Sequence, residues 1–148
     1  MVPLEIGALI GILEVNRLMR SPDEVAAFEQ ALAELAQHPS HKYLPDLHLV
    51  LDDQCQQPEV MFSLIHFLES FDVKEQLQAF IEVVPRLVVR AAEWTSILHS
   101  RILNDAVACA AYEEILQSVD FKERTIVCQL LTEIAANKSS ESLVVAQL

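Results

Sequence analysis

His38, His41 and His48 stand close together in the chain, and three imidazoles are enough to hold a zinc ion. His38 and His41, however, flank Pro39-Ser40, a turn pair, so a solvated loop accounts for them without a ligand. His66 precedes Glu69 by three residues, the spacing of neighbours on one helix face. It reads as a hydrogen-bonded or contact histidine before it reads as a general base. Cys55, Cys109 and Cys128 are odd in number, far apart and without a Cys-x-x-Cys pair, which suits buried, reduced thiols better than a zinc site or a disulfide framework. Cys55 has no basic neighbour in sequence to make it a nucleophile. Glu113 and Glu114 are adjacent on a helix and diverge by about 100°, so they do not converge on a substrate. The two glycines, Gly7 and Gly11, share one segment, which leaves no phosphate-binding loop, and there is no His-Glu-x-x-His or Glu-x-x-His pattern. The expectation is a protein with no catalytic residues, no cofactor and no metal site.

What remains is a pattern of charge. The 148 residues carry 10 Lys and Arg against 22 Asp and Glu, a net charge of −12. Nucleic-acid phosphates and anionic membranes repel such a chain, whereas a basic protein surface attracts it. Between Lys42 and Lys74 there is no Lys or Arg, while Asp46, Asp52, Asp53, Glu59, Glu69 and Asp72 all fall in that stretch. A patch of one sign beside apolar groups suits docking to a basic partner. The candidate contacts are Asp52, Asp53, Glu59, His66, Glu69 and Asp72. Arg86, Arg90 and Arg101 are expected to pair internally, with Glu82, Glu93 or Asp105.

The elements that position these residues read as helices. Apolar residues make up 52% of the chain, Gly and Pro are scarce, and no segment alternates apolar with polar for long. A first helix is expected from Leu4 to about Met19, with Gly7 and Gly11 allowing close approach of a neighbour. Ser21-Pro22-Asp23-Glu24 and Asp72-Val73-Lys74-Glu75 are capping boxes, and Asp105 and Asp120 also stand where helices begin. Pro58 starts a helix, apolar almost all round, that is expected to be the central one. Pro85 is expected to kink or end the helix begun at Asp72, with a separate turn from Arg86 to Arg90. Helix starts recur about every 30–36 residues. The fold expected is all-α, an irregular stack of antiparallel helices or a short α-solenoid, as one domain over residues 1–138 with a mobile tail over 139–148. The apolar opening segment has Glu5 and Glu14 and no basic start, so a leader is not expected and a cytoplasmic location is. The high apolar content leaves a homodimer open.

The run from Glu59 through Phe71, followed by Ala92-Glu93-Trp94 and by Arg101-Ile102-Leu103-Asn104, resembles the immunity protein 30 family, bacterial proteins that accompany polymorphic toxins. The likeness extends over about residues 12–136. It implies an all-α fold and a role in binding and neutralising a cognate toxin. Glu69, Trp94, Arg101 and Asn104 match the family pattern, and each has a structural reading: Trp94 in the core, Arg101 paired with Glu69 or Glu93, and Asn104 ending a helix. A generic helical-repeat adaptor that binds a peptide or host protein is the alternative function.

Overall fold

The computed structural model describes residues 5–146, with side chains described as far as residue 136. Among the described residues there are eight α-helices: α1 Ile6–Val15, α2 Pro22–Gln37, α3 Leu44–His48, α4 Pro58–Glu69, α5 Val73–Arg90, α6 Ala92–Leu103, α7 Ala106–Ser118 and α8 Phe121–Ala146. A 3-10 turn at His41–Tyr43 precedes α3. Among the described residues there is no strand, so the fold is all-α.

Local chemistry accounts for most helix starts. The Ser21 hydroxyl accepts the Glu24 amide at 3.2 Å, with Pro22 in the first turn, where its missing N–H costs nothing. The Glu24 carboxylate accepts from the Arg20 amide at 2.8 Å, one residue outside the reciprocal box the sequence suggests. Asp72 accepts the Lys74 and Glu75 amides at the head of α5, and Asp105 accepts the Ala108 amide at the head of α7. Asn104 closes α6 in an ordinary right-handed conformation, φ −87°, so its tolerance of the left-handed region is not used. That region is occupied instead by Met19 (φ 49°), where the chain reverses between α1 and α2. A left-handed non-glycine residue costs about 1–2 kcal/mol. Complete burial of the Met19 side chain offsets this, at about 1.5–3 kcal/mol.

The centre of the stack is α5, not α4. It packs against α3, α4, α6, α7 and α8, and buries Leu77, Phe80, Ile81, Val83, Val84 and Leu87. One helix touching five others is a closed arrangement rather than the neighbour-on-neighbour stacking of a solenoid. α5 also continues through Pro85 without ending, so the stretch 86–90, expected as a separate turn, is part of it. Pro85 is exposed, so its ring projects away from the core, while Val84 and Leu87 on either side are fully buried. Apolar burial on the inner face holds the helix together across one missing hydrogen bond.

Two expectations for α1 also change. It stops at Val15, and a Cβ built on Gly7 or Gly11 meets nothing within 4 Å. Among the described residues nothing approaches either glycine closely. At the other end, the backbone of α8 is helical to Ala146, through the stretch read from sequence as a tail.

Candidate protein-binding face

The site is built on α4 and α6. At 100° per residue, Glu59, His66, Phe62 and Glu69 fall within an arc of about 80° on α4. α6 flanks that arc. The Phe62 ring meets the Trp94 ring edge-on, centroids 5.1 Å apart, and Arg101 grips Glu69 through two hydrogen bonds of 2.9 and 2.7 Å. The Glu69 hydrogen bonds raise the Arg101 pKa further above its already high value. Phe62 also lies 6.4 Å from the His66 ring. The result is a half-buried aromatic centre, Phe62, on the same arc as exposed Glu59 and His66, with exposed Glu93 next in sequence to the Trp94 that Phe62 meets.

The adjoining loop holds α6 in place. Asp53 accepts the Glu93 amide at 3.0 Å and the Trp94 amide at 3.2 Å, so a carboxylate from another segment caps α6. The Trp94 indole donates to the Asp52 carbonyl at 3.1 Å. The Asp52 carboxylate turns inward, accepting from Arg17 at 2.9 Å and from the Gln54 amide at 2.8 Å. With its residue only 4% exposed, it cannot offer its charge to a partner. Asp52 and Asp53 therefore tie together the α1–α2 turn, the α3–α4 loop and the start of α6.

Of the six contacts read from sequence, Glu59 and His66 are exposed on the face and Glu69 borders it in its pair with Arg101. Asp53 is half-buried as a cap, Asp72 caps α5, and Asp52 is inside. Phe62 and Glu93 were missed. A helical wheel of α4 puts Phe62 on the polar stripe, but the meeting of its ring with Trp94, next to Glu93 on α6, is a tertiary fact. The family-pattern residues have structural contacts: Trp94 is 5% exposed, Arg101 is paired to Glu69, and Asn104 ends α6. Arg90 pairs with Glu14 at 2.8 Å, a partner not foreseen.

The histidines and cysteines among the described residues lie in differing surroundings. Among the described residues no three His, Cys, Asp or Glu side chains are placed to hold a metal ion. His48 is fully buried, its Nδ1 hydrogen-bonded to the Leu44 carbonyl at 2.7 Å, while His38 and His41 are exposed. Burial raises the pKa of the Cys55 thiol, which lies 3.9 Å from the Met19 sulfur, opposite to the requirement of a nucleophile. Cys109 is half-buried and Cys128 is exposed, so burial of all three thiols does not hold.

Fold and face together define a helical scaffold presenting an acid-rimmed aromatic surface. The immunity protein 30 family model matches residues 15–112, and the chain belongs to that family. No curated protein and no solved structure matches the chain. No helix among the described residues is long and apolar enough to cross a membrane.

Proposed function

We propose that this protein neutralises a cognate bacterial polymorphic toxin by binding it, with the α4–α6 face docked against a basic toxin surface. Family membership supports the immunity role. The observation that carries the choice of face is the arrangement of uncommitted charge: Glu59 lies on the same arc of α4 as Phe62 and His66, Glu93 precedes Trp94, whose ring meets Phe62, and both carboxylates are exposed and outside any ion pair among the described residues. An aromatic centre that loses water on docking supplies affinity, and surrounding carboxylates speed encounter with a cationic surface. No bond is made or broken, and the protein acts inside the cell that produces the toxin.

The test uses a toxin whose lethality this protein suppresses on co-expression. Glu59→Lys with Glu93→Lys should lower affinity by about 100-fold, chiefly through slower association, and co-expressed cells should lose protection. Affinity of the parent protein should fall as salt rises. Toxin binding unchanged by the double reversal, in a protein whose melting curve is intact, removes this face from the mechanism. Asp52 and Asp53 are unsuitable for the same test, since reversing them breaks the tie to α6.

A further inference from the structure

α1 bears no charge from Ile6 to Leu13, yet only part of it is packed. Leu9 and Leu13 are buried against the core, whereas Gly7, Ala8, Gly11, Ile12 and Val15 are exposed, Val15 at 74%. Beside this helix runs a groove of about 570 Å³ whose apolar lining includes Ile10, Leu49, Leu87 and Val89, the last 84% exposed. Its charged lining is Glu14 and Asp46 against Arg86 and Arg90, two of each sign. In a chain with 22 acidic and 10 basic residues this is a locally neutral surface. Glu14 and Arg90 satisfy each other, which leaves Asp46 and Arg86 exposed and outside any ion pair among the described residues.

We propose that this groove is the contact between two copies of the chain, with α1 of one protomer crossing α1 of its partner at Gly7 and Gly11. A two-fold contact sets each surface against its own copy, so Asp46 of one protomer can meet Arg86 of the other. The neutral lining argues for a second copy over a basic toxin, because cationic groups gain nothing from a surface that already carries its own. It also lets two strongly acidic molecules approach where repulsion is least. Each glycine costs a helix about 0.5–1 kcal/mol relative to alanine, and the monomer has open space where a Cβ would go. Close approach of a second backbone is a use for that missing volume. The groove shares no residue with the α4–α6 face, so the two readings stand or fall separately.

Sedimentation equilibrium of the full chain, without toxin, should show a monomer–dimer equilibrium. Gly11→Leu places a strong helix former at an exposed position, so the monomer should melt no lower, while the dimer dissociation constant rises about 100-fold because the obstruction is met twice. Arg86→Asp should weaken the dimer, and adding Asp46→Arg to the same chain should restore it. Added salt should leave dimerisation unchanged or strengthen it by screening the net repulsion, opposite to its effect on toxin binding. A parent protein that stays monomeric at every concentration overturns the proposal, as does a dimer indifferent to both Gly11→Leu and the charge swap. Loss of toxin binding in Gly11→Leu would reassign the groove to the toxin and overturn it as well.

Discussion

His48 should make this protein acid-labile, by an amount that burial of a single imidazole sets. The ring is completely enclosed, and its Nε2 has no hydrogen-bond partner among the described residues. Its Nδ1 lies 2.7 Å from the Leu44 carbonyl oxygen, so the neutral ring carries its proton on Nδ1 and donates it there. An imidazolium would have to bury a second N–H and a full charge. Desolvation therefore lowers the pKa from 6.5 to about 4, against a smaller upward pull from the Leu44 hydrogen bond. The unfolded chain takes up this proton near pH 6.5, the folded one only near pH 4, so between those values the unfolded state binds more protons. The stabilisation is complete above pH 6.5 and is lost as pH falls towards 4. A gap of that size corresponds to about 3 kcal/mol. Against the usual 5–15 kcal/mol of a domain, this is a large fraction. Urea denaturation followed by circular dichroism at pH 7.5, 6, 5 and about 4.5 measures it, with His48→Leu as the reference. Leucine fills a similar volume and does not titrate, so the variant should keep the parent's stability near neutrality within about 1 kcal/mol and lose less of it in acid. His99, whose pKa is also lowered by burial, remains in both proteins and cancels in the comparison. Parallel pH profiles for parent and variant would refute the reasoning.

Two further predictions concern the helical framework. Asp53→Ala should destabilise the protein by about 1–2 kcal/mol in thermal or urea melts, because it strips α6 of its only side-chain cap among the described residues, and Asp53→Asn should recover part of the loss. Pro85→Ala should stabilise by about 1–3 kcal/mol, since the ring is exposed and α5 already runs through it; a lower melting temperature would mean that the helix needs the proline's geometry.

What the sequence by itself determined was local. Ser21, Asp72 and Asp105 cap the helices they were read to cap because a cap bonds to amides only two or three positions away. The absence of alternating patterns dictated an all-α chain, and helical spacing placed Glu59, His66 and Glu69 on one face. Tertiary structure decided whatever depends on which helices meet. Asp52 and Asp53 look alike in sequence, but the meeting of their loop with Arg17 and with α6 buries one and makes the other a cap. His48 reads in sequence as one of three neighbouring imidazoles, and only the packing of α3 against α5 encloses its ring, 6.5 Å from Phe80. Pro85 reads as a kink or an end, and the helix does not end there because the local rule omits the apolar face that carries α5 through it. Gly7 and Gly11 read as a close-packing pair, and packing put them at the surface instead. Capping and periodicity are settled within one or two turns of chain, whereas burial and pairing depend on the sum of contacts between distant segments.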